Sequence, residues 1–419
     1  MVLKDMLLLL SLFVSFQSTI RAETKIRQIA TYQAELYPEY CNPFDGFGTK
    51  CAPYEFRASY VADAVKSSLV DTDVVCLQGV YFDVDLDTIV RGTEKLFPYS
   101  FSFNHDAMTG SYEKSTHAPC SDDDREGVEQ VAACEDHECH SETERDEYIG
   151  CLEDSCKVNG TKSISDVFLE LSDTCVACIF LGTKRNAMDC LKLQYAVNPT
   201  GLVVLSKHNI TDSEKGVFHK QEKEIVRHGF LQVKIKYIGN VVCTVMQSNL
   251  GEKYIDITET THSYAEKNLE EAKFLVQKTN GLENVIVAGC LNTSPLLTKG
   301  TVAPLFPHSM DEFKSAGFDD PISESYSGEY ASCTYCFSDD YAKEKFDLQG
   351  YDGYIFDHVL VRGLHAISEK TVHSAGSSKI NLRVIMHEPA QGDDFRAISA
   401  HFCVRVYIEV ADEDWLPNV

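Results

Sequence analysis

The chain has 419 residues, 44% of them hydrophobic, and a formal net charge of −26. Its length and apolar content supply a core for one large α/β or β-sandwich domain with an insertion, or for two ordinary domains. The charge disfavours sequence-independent binding of nucleic acid, because an acidic surface repels phosphate unless cations intervene, and its plain reading is solubility of an extracellular protein.

The elements begin with an address. Met1–Asp5 carries one lysine, Met6–Phe16 is a short apolar run, and Ile20-Arg21-Ala22 offers a small-residue cleavage site. The run is too short to cross a bilayer, so residues 1–22 read as a secretory signal peptide, and nothing later reaches the length of a spanning helix. The sixteen cysteines agree with an oxidising compartment. So do the sequons Asn159-Gly-Thr and Asn209-Ile-Thr, while Asn292-Thr-Ser follows a buried-looking strand and suits a sugar less well.

In the first zone, up to residue 119, apolar runs predict strands at Ile26–Tyr32, Asp73–Leu77 and Phe97–Phe103, with a helix over Arg57–Leu69. Cys41 and Cys51 flank a loop and are expected to staple it. The second zone, 120–190, holds eight cysteines (120, 134, 139, 151, 156, 175, 178 and 190) and a dense acidic run. The pairs Cys134/Cys139 and Cys151/Cys156 share one spacing, as in two short helices stapled face to face. Cys175-x-x-Cys178 with His137 and His140 offers zinc as the competing reading, but a secreted chain favours disulfides. No calcium-loop motif occurs in the acidic run. We read this zone as a helical, disulfide-rich insertion, whose eight cysteines permit about 105 pairings.

In the third zone, strands are predicted at Gly201–Lys207, Leu231–Ile238, Val241–Met246, Asn284–Ala288, Tyr354–Arg362 and Phe402–Val410, with an amphipathic helix over Tyr264–Thr279. Cys76 and Cys243 fall in strands and read as ordinary buried thiols. Cys333-Thr-Tyr-Cys336 is either a local disulfide or two partners of distant cysteines. Strands and helices alternate on both sides of the insertion, so residues 23–119 and 191–419 form one α/β domain interrupted by 120–190.

Six stretches, in order, carry a resemblance. They are Thr31-Tyr32-Gln33; Asp73–Val80 (D-V-V-C-L-Q-G-V); Gly201–Lys207 (G-L-V-V-L-S-K); Asn284–Pro295 (N-V-I-V-A-G-C-L-N-T-S-P); Tyr354–Val361; and Ser399-Ala400-His401-Phe402. Together they resemble the endonuclease/exonuclease/phosphatase superfamily, which holds secreted deoxyribonucleases, abasic-site endonucleases, neutral sphingomyelinases and inositol phosphatases. The resemblance implies a four-layer α/β/β/α sandwich of two packed mixed sheets. It also implies hydrolysis of phosphoesters with magnesium, held chiefly by a glutamate after L-Q and supported by the aspartates of G-D-x-N and S-D-H. The asparagine of G-D-x-N would hold phosphate, and the last histidine would act as general acid/base or phosphate ligand.

Carried over residue by residue, the pattern is degenerate. The glutamate is Gly79, the two aspartates are Cys290 and Ala400, the first-strand asparagine is Gln33, and a histidine often found in a T-H-L turn is Asn249. His401, Asp357 and Asn292 remain. Three lost carboxylates predict loss of catalysis, hence a pseudoenzyme with no expected metal cofactor and a binding or structural role toward an unknown extracellular ligand or protein. The alternative is a weak or altered metal-dependent phosphoesterase using His401 and Asp357, with Glu35, Asp83 or Asp85 replacing the lost ligand. A nucleophilic Cys290–His401–Asp357 scheme is disfavoured in an oxidising compartment. Because the G-D-x-N and S-D-H loops are neighbours in the fold the resemblance implies, Cys290 pairs with Cys403 across the former site, or the two are separate thiols.

Overall fold

A computed structural model gives the structure of residues 24–34, 36, 54–105, 117–139, 151–152, 155–158, 162–181, 187–194, 196–219, 227–248, 263–296, 302–321, 334–336, 351, 353–367, 383–384 and 403–411. The strands in chain order are β1 (Thr24–Gln33), β2 (Val74–Gln78), β3 (Tyr99–Ser102), β4 (Lys157–Val158), β5 (Lys162–Ser163), β6 (Val203–Ser206), β7 (Ile210–Val217) and β8 (Gly229–Ile235). They continue with β9 (Gly239–Val245), β10 (Val285–Cys290), β11 (Tyr335–Cys336), β12 (Gly353–Tyr354), β13 (Asp357–Arg362), β14 (His365–Ile367), β15 (Arg383–Val384) and β16 (Cys403–Ala411). The helices are α1 (Tyr54–Ser68), α2 (Asp83–Thr93), α3 (Arg125–His137), α4 (Ile164–Glu170), α5 (Asp173–Leu181), α6 (Tyr264–Lys278) and α7 (Pro307–Ser315).

Continuous apolar runs such as Val74-Val75-Cys76-Leu77 fit strands covered on both faces, and every residue of β2 and of β10 is buried. One sheet runs β14-β16-β1-β2-β6-β3, with β15 also on β16; the other runs β13-β10-β9-β8-β7. Both are mixed, since β1/β2 and β10/β9 are parallel and their other pairings antiparallel. Ile29, Val74, Cys76 and Val204 of the first sheet meet Val233, Val241, Cys243, Ile286 and Val359 of the second in one core. Alternate residues face outward. Ala30, Tyr32, Val75 and Leu77 pack under α1 and α2 through Val61, Val65, Leu86 and Ile89. Val242, Val285, Val287 and Leu360 pack under α6 and α7 through Leu275, Met310 and Phe313. The layers are therefore α/β/β/α, as the resemblance implied.

One expectation about the strands needs correction. Tyr354–Arg362 is not one strand: β12 ends at Tyr354 and pairs β11, and β13 starts at Asp357. Beyond the end of β2, Asp83 and Asp85 stand in the first turn of α2, where carboxylates suit the helix N-terminus.

The largest correction concerns Cys76 and Cys243. They are not separate thiols but a disulfide joining β2 to β9, with Cα atoms 5.5 Å apart. Both side chains point between the sheets, and 167 residues separate them in sequence. In the cysteine-rich zone, Cys134–Cys156 and Cys139–Cys151 form the face-to-face staple that the spacing predicts, and Cys120–Cys175 and Cys178–Cys190 complete four bridges. The Cys120 amide donates to the Cys190 carbonyl at 3.1 Å. Among the described residues, one group of three His, Cys, Asp or Glu side chains is close enough to share a metal ion, Cys134, Cys139 and Cys156, and all three are in disulfides. This zone is attached through a shared apolar cluster with Tyr81, Phe82 and Val197. A buried Arg227 reinforces it, its Nη2 2.9 Å from Asp173 Oδ1.

Two titratable groups matter for stability. At the start of β2, Asp73 accepts from the Gln28 amide (2.8 Å) and lies 2.7 Å from His208 Nε2 and 3.3 Å from Arg27. Burial opposes its ionisation, but these partners outweigh it and hold the carboxyl below its usual value. After β3, the buried His105 ring sits between the Ser100 and Ser102 hydroxyls. Burial, helped by Lys215, pushes it down to about 4.

Candidate functional site

The parallel β1/β2 pairing ends at Gln33 beside Gln78, and the β10/β13 pairing ends at Cys290 beside Asp357. Strand alternation then decides where these side chains go. Gln33 and Gln78 are two residues beyond Thr31 and Cys76. Cys76 faces the second sheet, so both glutamines face inward. Cys290 lies in the same inter-sheet core, as does Val359, two residues beyond Asp357. The ends of β1, β2, β10 and β13 thus bring Gln33, Gln78, Cys290 and Asp357 to one mouth between the sheets.

Gln78 is buried, and its Nε2 donates to Thr31 Oγ1 (2.9 Å) and the Cys76 carbonyl (3.0 Å). Its Oε1 and the Oε1 of Gln33 are buried without a hydrogen-bond partner among the described residues. Gly79 follows in the left-handed region at φ 75°. Its carbonyl accepts from the Leu36 amide at 2.8 Å, while the next amide, Val80, donates to Gly201 O at 2.9 Å. The sequence around Gly79 signals no turn, yet the backbone adopts the conformation that glycine tolerates and L side chains resist.

Across the mouth, Gly289 lies so close to β9 that an added Cβ would collide with the Thr244 carbonyl. Cys290 Sγ donates to Asn292 Oδ1 at 3.4 Å, and Asn292 Nδ2 donates to the Met246 carbonyl at 2.6 Å. Asn292 is left-handed (φ 49°) and buried, so its carboxamide holds the β9 and β10 ends together. Asn268 on α6 does the same from outside, donating to Gln247 O (2.7 Å) and Leu291 O (3.0 Å).

Asp357 is fully buried, and its backbone amide donates to Thr334 Oγ1 at 3.1 Å. The next residue, His358, was not singled out by motif. Its Nε2 lies 2.9 Å from Thr293 O and 3.0 Å from Ile355 O, and its Nδ1 lies 3.3 Å from Asp320 Oδ2. Burial disfavours the charged ring, but Asp320 and the two carbonyls outweigh it and raise the histidine above its usual value. A buried Asp–His pair thereby locks the Asn292–Ser294 loop to the start of β13. Asp320, Asn268 and His358 lie outside the motif core or beside it, and no local pattern marks them.

His401, Ala400, Asn249 and Glu35 lie outside the described residues, as do Cys41, Cys51, Cys333 and Asn159, the His140 side chain and the Cys403 side chain. The Cys290–Cys403 and Cys41–Cys51 pairings therefore fall outside the described structure. Asp83 is described: its Oδ1 accepts from Asn104 Nδ2 at 2.9 Å, just past β3, the edge strand two places from β2.

Magnesium favours near-octahedral oxygen donors, usually including carboxylates. At the mouth the described residues offer carboxamides, the Cys290 sulfur and one carboxylate, Asp357. Gly79 contributes no side chain, and the Asn292 amide is already used. This donor set does not fit the ion.

No protein-family model and no curated protein matches the chain. Solved structures do. A magnesium-bound mutant of beta toxin from Staphylococcus aureus has a TM-score of 0.45 and 13% identity, covering 91% of this chain and 99% of that one. Sphingomyelinase C from Streptomyces griseocarneus has a TM-score of 0.41 and 14% identity, covering 93% and 100%. An endonuclease/exonuclease/phosphatase from Beutenbergia cavernae has 0.42 and 10%, covering 92% and 72%. These are likenesses only. The strand-end residues carry the reading of the site.

Proposed function

We propose that this is a secreted protein of endonuclease/exonuclease/phosphatase type that has lost metal-dependent phosphoester hydrolysis and acts by binding an extracellular ligand or protein. The observation that carries the reading is Gly79: where the resemblance places the metal-holding glutamate, the backbone sits at φ 75° with its carbonyl engaged by Leu36. Cys290 in place of aspartate and the committed amide of Asn292 support it. Secretion is supported by five disulfides among the described residues. Among those residues no helix is long and apolar enough to cross a membrane.

The test is hydrolysis of DNA, sphingomyelin and nitrophenyl phosphates with and without Mg²⁺, Mn²⁺ or Ca²⁺. The reading expects rates indistinguishable from buffer. Metal-dependent turnover lost in His401→Ala would overturn it in favour of a weak phosphoesterase.

A further inference from the structure

We propose that Asn209 carries an N-linked glycan whose place in the fold is to cover β7, which among the described residues is the edge strand of the five-stranded sheet. The inference rests on the secreted reading above. Of the three N-x-S/T sequons, two fall on described asparagines, and the structure separates them. Asn292 is buried, and its Nδ2, the atom a sugar would occupy, donates to Met246 O at 2.6 Å. The third residue of that sequon, Ser294, is fully buried, with its amide donating to Leu305 O at 2.7 Å. A glycan there would prise β9 from β10, so a glycosylated Asn292 could not reach this fold.

Asn209 is the opposite case. Its side chain is exposed, and its backbone is fixed because its carbonyl accepts from the Lys236 amide at 2.9 Å. The sequon threonine, Thr211, is the extra residue of a β-bulge: Ile210 pairs Ile235 and Asp212 pairs Lys234, leaving Thr211 between them. It is exposed, and its hydroxyl donates to Lys234 O at 3.1 Å.

The sequon therefore opens β7, and among the described residues β7 ends the sheet: the order is β13-β10-β9-β8-β7. Eight residues long and largely unburied, β7 has no strand paired to its outer side among the described residues, and such an edge offers a row of backbone groups to another extended chain. Proteins blunt such edges with bulges and charges. The bulge at Thr211 and the exposed Asp212 and Glu214 are of that kind. The third charge, Lys215, is drawn inward, its Nζ donating to Phe103 O (2.5 Å) and His105 O (2.7 Å). A hydrophilic oligosaccharide at residue 209 would stand over the first turn of this edge and exclude a pairing strand by bulk.

The experiment expresses the chain in mammalian cells, once with its own N-terminus and once behind a heterologous secretory leader. Recovered protein is deglycosylated in ¹⁸O-water and mapped by mass spectrometry. The inference expects ¹⁸O-aspartate at 209 and unmodified asparagine at 292. Unmodified Asn209 in protein from the heterologous leader would overturn it. Absence from the medium with the native N-terminus alone would instead overturn the secreted reading. For the covering role, Asn209→Gln and Thr211→Ala are compared with wild type and with Thr211→Ser, which keeps the sequon. Both glycan-free variants should aggregate several-fold faster on heating, by light scattering, with Thr211→Ser behaving as wild type. Equal rates in all four proteins would remove the covering role.

Discussion

Replacing both partners of the Cys76–Cys243 bridge by alanine gives a quantitative check on the fold. The bridge closes a loop of 167 residues from the centre of the first sheet to the centre of the second. In the chain-entropy account, closing a loop of that length removes about 5 kcal/mol of unfolded-state freedom. Cys120–Cys175 and Cys178–Cys190 lie inside the loop and shorten its effective contour. Because the dependence is logarithmic, this trims the figure to about 4.7 kcal/mol. Measured bridges usually deliver less, so a loss of roughly 2–5 kcal/mol is expected. Guanidinium unfolding of oxidised wild type and the double variant, followed by fluorescence and circular dichroism, reads the difference. The double variant avoids stranding one buried thiol. Thiol titration of denatured wild type should show both cysteines blocked. A loss below about 1 kcal/mol, or two reactive thiols at these positions by peptide mapping, would refute the inter-sheet bridge.

Gly79→Ala should cost about 1–2 kcal/mol, because an L residue is forced into the left-handed region; an unchanged midpoint would show that the backbone there relaxes freely. Gly79→Glu should pay the same strain and still show no metal-dependent hydrolysis, which phosphodiester assays check. His105 titrates near 4 when folded and near 6.5 when unfolded, so the unfolded chain binds the extra proton first as pH falls. Stability present above pH 6.5 should decline through that window, by at most about 3 kcal/mol below pH 4. His105→Gln should flatten that part of the pH–stability curve, and an unaltered slope would contradict the assignment. Arg227→Ala removes the contact to Asp173 and should loosen the cysteine-rich zone, read as faster amide exchange in α5 with little change in β9 and β10.

Much of the sandwich was legible because buried strands advertise themselves. V-V-C-L and V-I-V-A-G-C are apolar on both faces, and the structure buries them on both. Boundaries moved by a residue or two where ladder bonds, not composition, end a strand. β7 was missed because an edge strand buries little: I-T-D-S-E-K-G-V shows no alternation for a period to reveal. The Cys76–Cys243 bridge was invisible for another reason, since nothing local records that two cysteines 167 residues apart face each other across two sheets. At the site, residue types were readable but their engagements were not. Gly79 reads as a missing carboxylate, while its φ of 75° shows a backbone that has settled around glycine. Asn292 reads as a phosphate holder, while its amide ties β9 to β10. His358 and Asp320 meet only through the fold.

A mouth with Gly79, Cys290 and Ala400 where the resemblance places carboxylates should hold no metal. Isothermal titration of the purified, oxidised full-length protein with Mg²⁺ tests it most directly, with Gly79→Glu/Cys290→Asp/Ala400→Asp titrated alongside as a partial restoration. The wild-type chain should show no saturable magnesium binding. Saturable stoichiometric binding by wild type that disappears in Asp357→Asn would contradict it.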